Sequence, residues 1–70
     1  MQHVDRILRT RDVVQAVGLS RMTLHTYEAA GKFPKRLVLA TKADGTPQRV
    51  GWLESEVQAW IKARAAERAA

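Results

Sequence analysis

The chain has 70 residues and no cysteine, and 46% of its residues are hydrophobic. A chain of this size forms one small domain with little room for an enclosed pocket, and it has neither disulfides nor thiolate metal ligands. Lysine and arginine outnumber aspartate and glutamate by 12 to 7, so the net charge is +5. The surplus is concentrated in residues 1–36, where seven basic residues accompany three acidic ones. It indicates either a polyanionic partner or a need for solubility.

Signals of membrane, exported and catalytic proteins are missing from the sequence. The apolar runs fall far short of the roughly 20 residues that a membrane span requires, and a polar segment rather than a signal peptide follows Met1. His3 and His25 are far apart, and the glycines are isolated turn residues. We therefore expect a cytoplasmic protein that is not an enzyme and that holds no metal and no cofactor.

A short first helix is predicted over residues 11–17. Thr10 is its candidate N-cap, and Asp12 in the first turn favours the positive end of the helix dipole. Gly18 is expected to end the helix with a positive φ. So short a helix depends on tertiary packing for its stability.

A second helix is predicted over residues 21–30, with Ser20 as its N-cap and Gly31 in the left-handed position after its end. Leu24 and Tyr27 are expected to point toward the first helix, and Thr23 is a further candidate for that face. The opposite face holds Arg21, Met22, His25, Thr26 and Ala29. Methionine and histidine are unusual on a face that serves only solubility, because such a face normally carries charges.

A β-hairpin and a third helix are predicted in the second half. Residues 37–41 and 48–50 read as two strands, joined by a loose tip over residues 42–47 that contains an Asp-Gly turn signal. The third helix begins near Leu53, and its Ala-rich end, residues 64–70, is expected to project into solvent or fray. Three aromatic residues are expected in the core rather than stacked on bases: Phe33, Trp52 and Trp60.

These elements predict an α+β fold, a small winged helix-turn-helix with three helices and a two-stranded hairpin wing. We expect one domain over residues 1–70 with its core at about 6–64. The second helix of such a motif enters the major groove of DNA, and nearby cations hold phosphates. The expected base-reading residues are Ser20, Arg21, Met22, His25 and Thr26. The expected phosphate-binding residues are Arg9, Arg11, Lys32, Lys35, Arg36, Lys42 and Arg49.

Some of these residues have a second interpretation. Arg9 could pair with Asp12 or Glu56, Lys42 could serve solubility alone, and His25 could be an ordinary exposed residue. For the whole chain the alternative is a protein-interaction module that docks the outward face of the second helix on a partner such as an integrase. RNA binding is weaker, because a helix does not fit the deep, narrow A-form groove. The basic N-terminal half favours duplex DNA.

Five short motifs resemble a known family. They are Arg6-Ile7-Leu8-Arg9, Gly18-Leu19-Ser20-Arg21, Gly31-Lys32-Phe33-Pro34-Lys35, Val50-Gly51-Trp52 and Glu54-Ser55-Glu56-Val57-Gln58-Ala59-Trp60-Ile61. In this order they resemble the AlpA-type phage regulators, which belong with excisionases in the MerR-like winged-helix group. The resemblance spans about residues 6–64 and implies the second helix in the major groove and the hairpin in the minor groove. The chain departs from the family at His25-Thr26, where Tyr-Arg is common, and in the longer wing at residues 42–47, so the base preference does not carry over.

The resemblance implies one of two tasks on DNA. The first is that of an excisionase, a recombination directionality factor that steers a prophage or genomic-island integrase toward excision. The second is transcriptional regulation of prophage genes. We slightly favour the excisionase, with double-stranded DNA and an integrase as partners. Because so small a protein covers a short site, we expect a free monomer that assembles cooperatively on DNA.

Overall fold

The computed structural model describes residues 4–68, which form three helices and a small antiparallel sheet. In chain order the elements are β1 (Ile7–Leu8), α1 (Thr10–Val17), α2 (Arg21–Ala29), β2 (Leu37–Thr41), β3 (Pro47–Leu53) and α3 (Glu54–Glu67). The predicted α+β winged helix-turn-helix is confirmed: α1 contacts α2, and both α1 and α3 pack on β3. Within residues 4–68, no helix combines the length and apolar character needed to cross a membrane. The predicted limits at residues 1 and 70, and His3, lie outside the described residues.

The N-terminal caps of α1 and α2 are local hydrogen bonds. The predicted cap at Thr10 is wrong, because α1 begins at Thr10 itself and Arg9 is the N-cap residue. The backbone N–H of Arg9 donates to the Asp12 carboxylate at 3.2 Å, which closes the first turn one residue earlier than expected. The predicted Ser20 cap is confirmed, since its hydroxyl accepts the backbone N–H of Thr23 at 3.2 Å.

Glycine follows the end of both helices, as predicted. Gly18 has φ 73° and Gly31 has φ 75°, a left-handed conformation that residues with a side chain rarely adopt. The N–H of Gly18 donates to the Val14 carbonyl at 2.9 Å. α2 ends one residue earlier than predicted, because Ala30 is already its C-cap. The short turn that follows Gly18 sets α2 against α1.

The core lies between the helices and the sheet. Its buried side chains are Val13, Leu24, Phe33, Trp52 and Val57. The Phe33 ring meets Trp52 and Trp60 edge to face, with centroids 6.5 and 5.0 Å away. The indole N–H of Trp52 donates to the Pro34 carbonyl at 3.0 Å, and that of Trp60 donates to the Lys32 carbonyl at 2.7 Å. These contacts fix the loop after α2. Phe33 and Trp52 are confirmed as core residues, whereas Trp60 is half-buried and packs against the core.

The sheet has three strands, whereas the sequence predicts two. β1 pairs antiparallel with β3, so that Ile7 lies opposite Leu53 and Leu8 opposite Trp52. β3 therefore extends well past the predicted residues 48–50, and α3 starts directly after it. A two-residue strand is too short to show an alternating pattern, and its partner lies more than 40 residues further along the chain. The strand order is β1-β3-β2.

Gly51 permits the close approach of the three strands. A Cβ atom at this buried position would lie 2.5 Å from Cγ2 of Ile7, 3.0 Å from the Leu8 carbonyl oxygen and 3.3 Å from Cδ1 of Leu39. Two of these neighbours are side chains, but the Leu8 oxygen is backbone and cannot turn away. Glycine at this position therefore lets β1 and β2 pair with the same strand.

The wing tip is ordered by its own hydrogen bonds, so the predicted loose tip is wrong. The Lys42 N–H donates to the Thr46 carbonyl at 2.8 Å. The Thr46 hydroxyl donates to Oδ1 of Asp44 at 2.7 Å, and the Thr46 N–H donates to the same oxygen at 3.0 Å. These bonds, the hydroxyl first, lower the pKa of Asp44 because they favour the charged carboxylate.

The segment before β1 is attached to the start of α3. Asp5 accepts the backbone N–H of Ser55 at 3.0 Å and the Ser55 hydroxyl at 2.5 Å, so it caps α3 from 50 residues away in sequence. Arg6 donates to Glu54 at 2.6 Å, a contact that raises the pKa of this arginine. β1 thus connects the beginning of α3 to the beginning of α1.

Candidate nucleic-acid interface

α2 has one buried face and one exposed face. Leu24 is in the core and Glu28 is only 9% exposed. The exposed face holds four of the predicted base-reading residues: Arg21, Met22, His25 and Thr26. The fifth, Ser20, is also exposed, but its hydroxyl is engaged in the helix cap, where it donates to the Thr23 hydroxyl at 3.0 Å. The structure therefore leaves four of the five predicted base-reading side chains exposed to a partner.

A groove of about 750 Å³ lies beside the start of α2. It is bounded by the start of α1, the first residue of α2 and the strands of the wing. Four arginines line it, and we call them the groove arginines: Arg9, Arg11, Arg21 and Arg49. The fold brings them together although Arg9 and Arg49 are 40 residues apart in sequence. Three of the predicted phosphate-binding residues thus share one concave surface with a predicted base reader.

The groove carries an excess of positive charge. Among residues 4–68 the ion pairs join Arg6 to Glu54, Arg36 to Glu28 and Arg64 to Glu67, each with a nitrogen–oxygen distance shorter than 3 Å. None of these pairs uses a groove arginine. Asp12 is the single acidic residue in the lining, and its carboxylate contacts the backbone of Arg9 rather than the guanidinium. Clustered cations in a concave surface concentrate positive potential, which attracts a polyanion.

Arg36 does not line this groove, and its predicted phosphate binding stays a prediction. Its backbone N–H donates to Oε2 of Glu28 at 2.7 Å, and its Nε donates to Oε1 at 2.9 Å. Its guanidinium lies 5.1 Å from the centre of the Trp52 ring. Arg36 therefore neutralises a nearly buried carboxylate and covers a core tryptophan, which is a structural role.

The three predicted lysines lie outside the groove. Lys32 and Lys35 are exposed in the loop after α2, and Lys42 is exposed at the wing tip. Lys35 and His25 line a smaller depression of about 280 Å³ near the end of α2. Phosphate binding by these lysines stays a prediction, and it requires a partner that extends beyond the groove.

Leu39 is a groove residue that the sequence analysis did not single out. It is 46% exposed although it is a large apolar residue. The pairing of β2 with β3 shifts register between Val38 and Ala40, which leaves Leu39 at a β-bulge. A bulge turns a side chain away from the regular alternation of a strand. Gln48 and Thr10 also line the groove. The sequence signal for Leu39 was the unbroken apolar run at residues 37–39.

Comparison with known proteins agrees with the resemblance noted in the sequence. The family model described as prophage CP4-57 regulatory protein (AlpA) matches residues 6–65. The "Uncharacterized protein ORF88" of Enterobacteria phage P4 is 39% identical over 64 residues, which cover 91% of this chain. The chain spans 66% of that phage protein, just under two thirds of its length.

A second relative is named for its activity. The "DNA-binding transcriptional activator AlpA" of Escherichia coli (strain K12) is 34% identical over 67 residues, which cover 84% of each chain. No solved structure matches. Because the family model covers most of the sequence and a relative of similar length agrees with it, this chain belongs to the AlpA family of prophage regulatory proteins.

Proposed function

We propose that this chain binds duplex DNA in a sequence-specific manner and regulates phage or prophage functions without catalysis. The observation that carries the proposal is the convergence of the four groove arginines at the start of the exposed face of α2. DNA presents a row of phosphates on either side of its major groove, so a helix that enters the groove needs cations beside it. The printed name of the Escherichia coli relative supports the same activity.

The arrangement suggests how the protein docks. The exposed face of α2 enters the major groove, where Arg21 at its first turn reaches a guanine edge or a phosphate. Arg9 and Arg11 approach the backbone from the start of α1. Arg49 approaches it from the wing, which follows the adjacent minor groove. One rigid surface thereby holds phosphates on two sides of the reading helix.

Alanine variants of the groove arginines test this proposal. We expect Arg21→Ala and Arg49→Ala each to weaken binding by about tenfold, because each removes a charged contact worth on the order of 1.4 kcal/mol. The measurement is fluorescence anisotropy with a duplex selected from a randomised library. Lys62→Ala is the matched control, since it removes one exposed positive charge on α3 outside the groove. Equal losses in all three variants would contradict a groove-specific interface.

Two regulatory tasks are compatible with DNA binding. Transcriptional activation is supported by the name of the Escherichia coli relative. The excisionase task, with an integrase as partner, is supported by α3, whose last two turns are exposed and carry a single large apolar side chain, Ile61. That helix end favours a protein that works as several DNA-bound copies over one that forms a stable free dimer. Either task places the protein in the cytoplasm.

Paired reporters separate these tasks. If the protein is an excisionase, supplying it with the integrase of its own prophage or genomic island should raise excision of a plasmid-borne element, while the integrase alone should not. If it is a transcriptional regulator, it should change expression from the integrase promoter when the integrase itself is absent. If the protein binds DNA but neither reporter responds to it, the regulatory proposal is contradicted.

A further inference from the structure

Met22 and Thr26 form a patch without hydrogen-bond donors on the exposed face of α2. They are four residues apart, so their side chains are neighbours on the helix. Met22 is 80% exposed and its thioether has no N–H or O–H group. The Thr26 hydroxyl donates to the Met22 backbone carbonyl at 3.0 Å, so its single O–H is used within the helix. What remains outward is a thioether, a methyl group and the oxygen lone pairs of Thr26.

A second pair on the same face has the opposite character. Arg21 and His25 are also four residues apart and both are exposed. Arginine has five N–H donors, and histidine has at least one. The exposed face of α2 therefore consists of two adjacent rows, one rich in donors and one without them.

The two rows of side chains favour different base edges in the major groove. Guanine presents two acceptors, N7 and O6, which stay unsatisfied against a surface that has no donor. Thymine presents a methyl group beside one acceptor. That methyl is the one methyl group on the major-groove edges of the four bases. An exposed methionine side chain gains from contact with an apolar group and gains nothing from a polar edge.

We propose that the Met22–Thr26 patch selects thymine through its 5-methyl group. This inference rests on the proposed function and names one base that the protein recognises. The thioether of Met22 and the methyl group of Thr26 pack on the thymine methyl, while the Thr26 hydroxyl stays bonded to the Met22 carbonyl. Arg21 and His25 contact the neighbouring bases or phosphates.

Deoxyuridine substitution tests the inference, because it removes the thymine methyl and changes nothing else on the base. The duplex is first selected from a randomised library with the intact protein, and each thymine of the enriched motif is then replaced in turn. We expect one or two adjacent replacements to weaken binding about 3- to 10-fold, the effect of losing one or two buried methyl contacts. The same replacements should have no effect on Met22→Ala.

Two variants of Thr26 separate its methyl group from its hydroxyl. Thr26→Val keeps a methyl and loses the hydroxyl, so it should remain sensitive to deoxyuridine. Thr26→Ser keeps the hydroxyl and loses the methyl, so its sensitivity should fall. Arg21→Ala is the matched control, since it should weaken binding to every duplex but keep the deoxyuridine effect. Thermal melting checks folding, and it should change little because these side chains are exposed.

The outcomes distinguish this inference from the proposed function. An enriched motif without thymine, or equal deoxyuridine losses in the intact protein and in Met22→Ala, would overturn thymine selection and leave DNA binding in place. Absence of binding to any duplex would overturn both. Deoxyuridine sensitivity that disappears in Met22→Ala, falls in Thr26→Ser and persists in Thr26→Val supports the inference.

Discussion

Arginines of similar sequence context serve different purposes in this molecule. Arg36 lies in a basic segment, and the sequence therefore predicts a phosphate contact for it. The structure pairs it with Glu28, because the loop after α2 is fixed by the two tryptophans and returns Arg36 to the end of that helix. Arg21, by contrast, has no ion pair among residues 4–68. Whether an arginine forms an ion pair within the fold depends on tertiary contacts that a single sequence does not display.

The Glu28–Arg36 pair gives a prediction about stability. Arg36→Ala should lower the free energy of unfolding by about 1 to 3 kcal/mol, because it leaves a nearly buried carboxylate with its backbone contact alone. Urea unfolding followed by tryptophan fluorescence measures the change. Lys35→Ala, next to it in sequence and exposed, should be within about 0.5 kcal/mol of the parent protein. Equal effects of the two variants would contradict the structural role of Arg36.

The wing tip gives a prediction about pH. The hydroxyl and N–H of Thr46 hold the pKa of Asp44 below its ordinary value. Their contribution to the tip is complete above the ordinary pKa and is lost as the pH falls through the lowered pKa. An NMR titration of the Asp44 carboxyl carbon should show this low midpoint. In Thr46→Val the midpoint should rise toward the ordinary value, and an unchanged midpoint would contradict the assignment of the hydroxyl as its main cause.

At the scale of secondary structure, the sequence predicts those elements whose limits depend on local chemistry. Ser20 and the glycines after each helix define α1 and α2 to within one residue, because caps act on the neighbouring backbone. β1 was missed because its two residues are defined by pairing with Leu53 and Trp52, far along the chain. The bulge at Leu39 was missed for the same reason. The sequence therefore predicts the arginines of the groove, whereas the shape of the groove depends on the tertiary fold.

Gly51 provides a test of the three-stranded sheet. Gly51→Ala should destabilise the protein by about 1 to 3 kcal/mol, the usual effect of an overpacked core position. Ile7→Ala should relieve part of this cost, since Cγ2 of Ile7 is the nearest atom to the added methyl, while the Leu8 oxygen remains close. The two changes should therefore be non-additive in urea unfolding. Strictly additive effects would show that β1 does not pack on β3 as described.

For the whole molecule, the candidate interface is assembled from three separate segments around one small core. The start of α1 contributes Arg9 and Arg11, the start of α2 contributes Arg21, and the wing contributes Arg49. A core that comprises five buried hydrophobic side chains among residues 4–68 holds them in place. On the proposed DNA-binding function one copy covers a short site, so we expect specific affinity to require several copies or a partner protein.

This size argument predicts how the protein assembles. Sedimentation velocity of the free protein should show a monomer, and footprinting should show adjacent direct repeats filled cooperatively at concentrations where a single repeat stays empty. Head-to-tail contacts between copies on DNA need not close into a ring. A stable free dimer that protects only an inverted repeat would contradict this assembly and favour a conventional dimeric transcription factor.

The salt dependence of binding tests the central claim most directly, because it counts the phosphates that the groove arginines neutralise. If the four of them each contact one phosphate, log K against log salt should fall with a slope of about −4. Arg49→Ala should reduce the slope by about one, and Lys62→Ala should leave it unchanged. A slope near zero for the intact protein, or an equal change in both variants, would contradict the account of this groove as the DNA-binding surface.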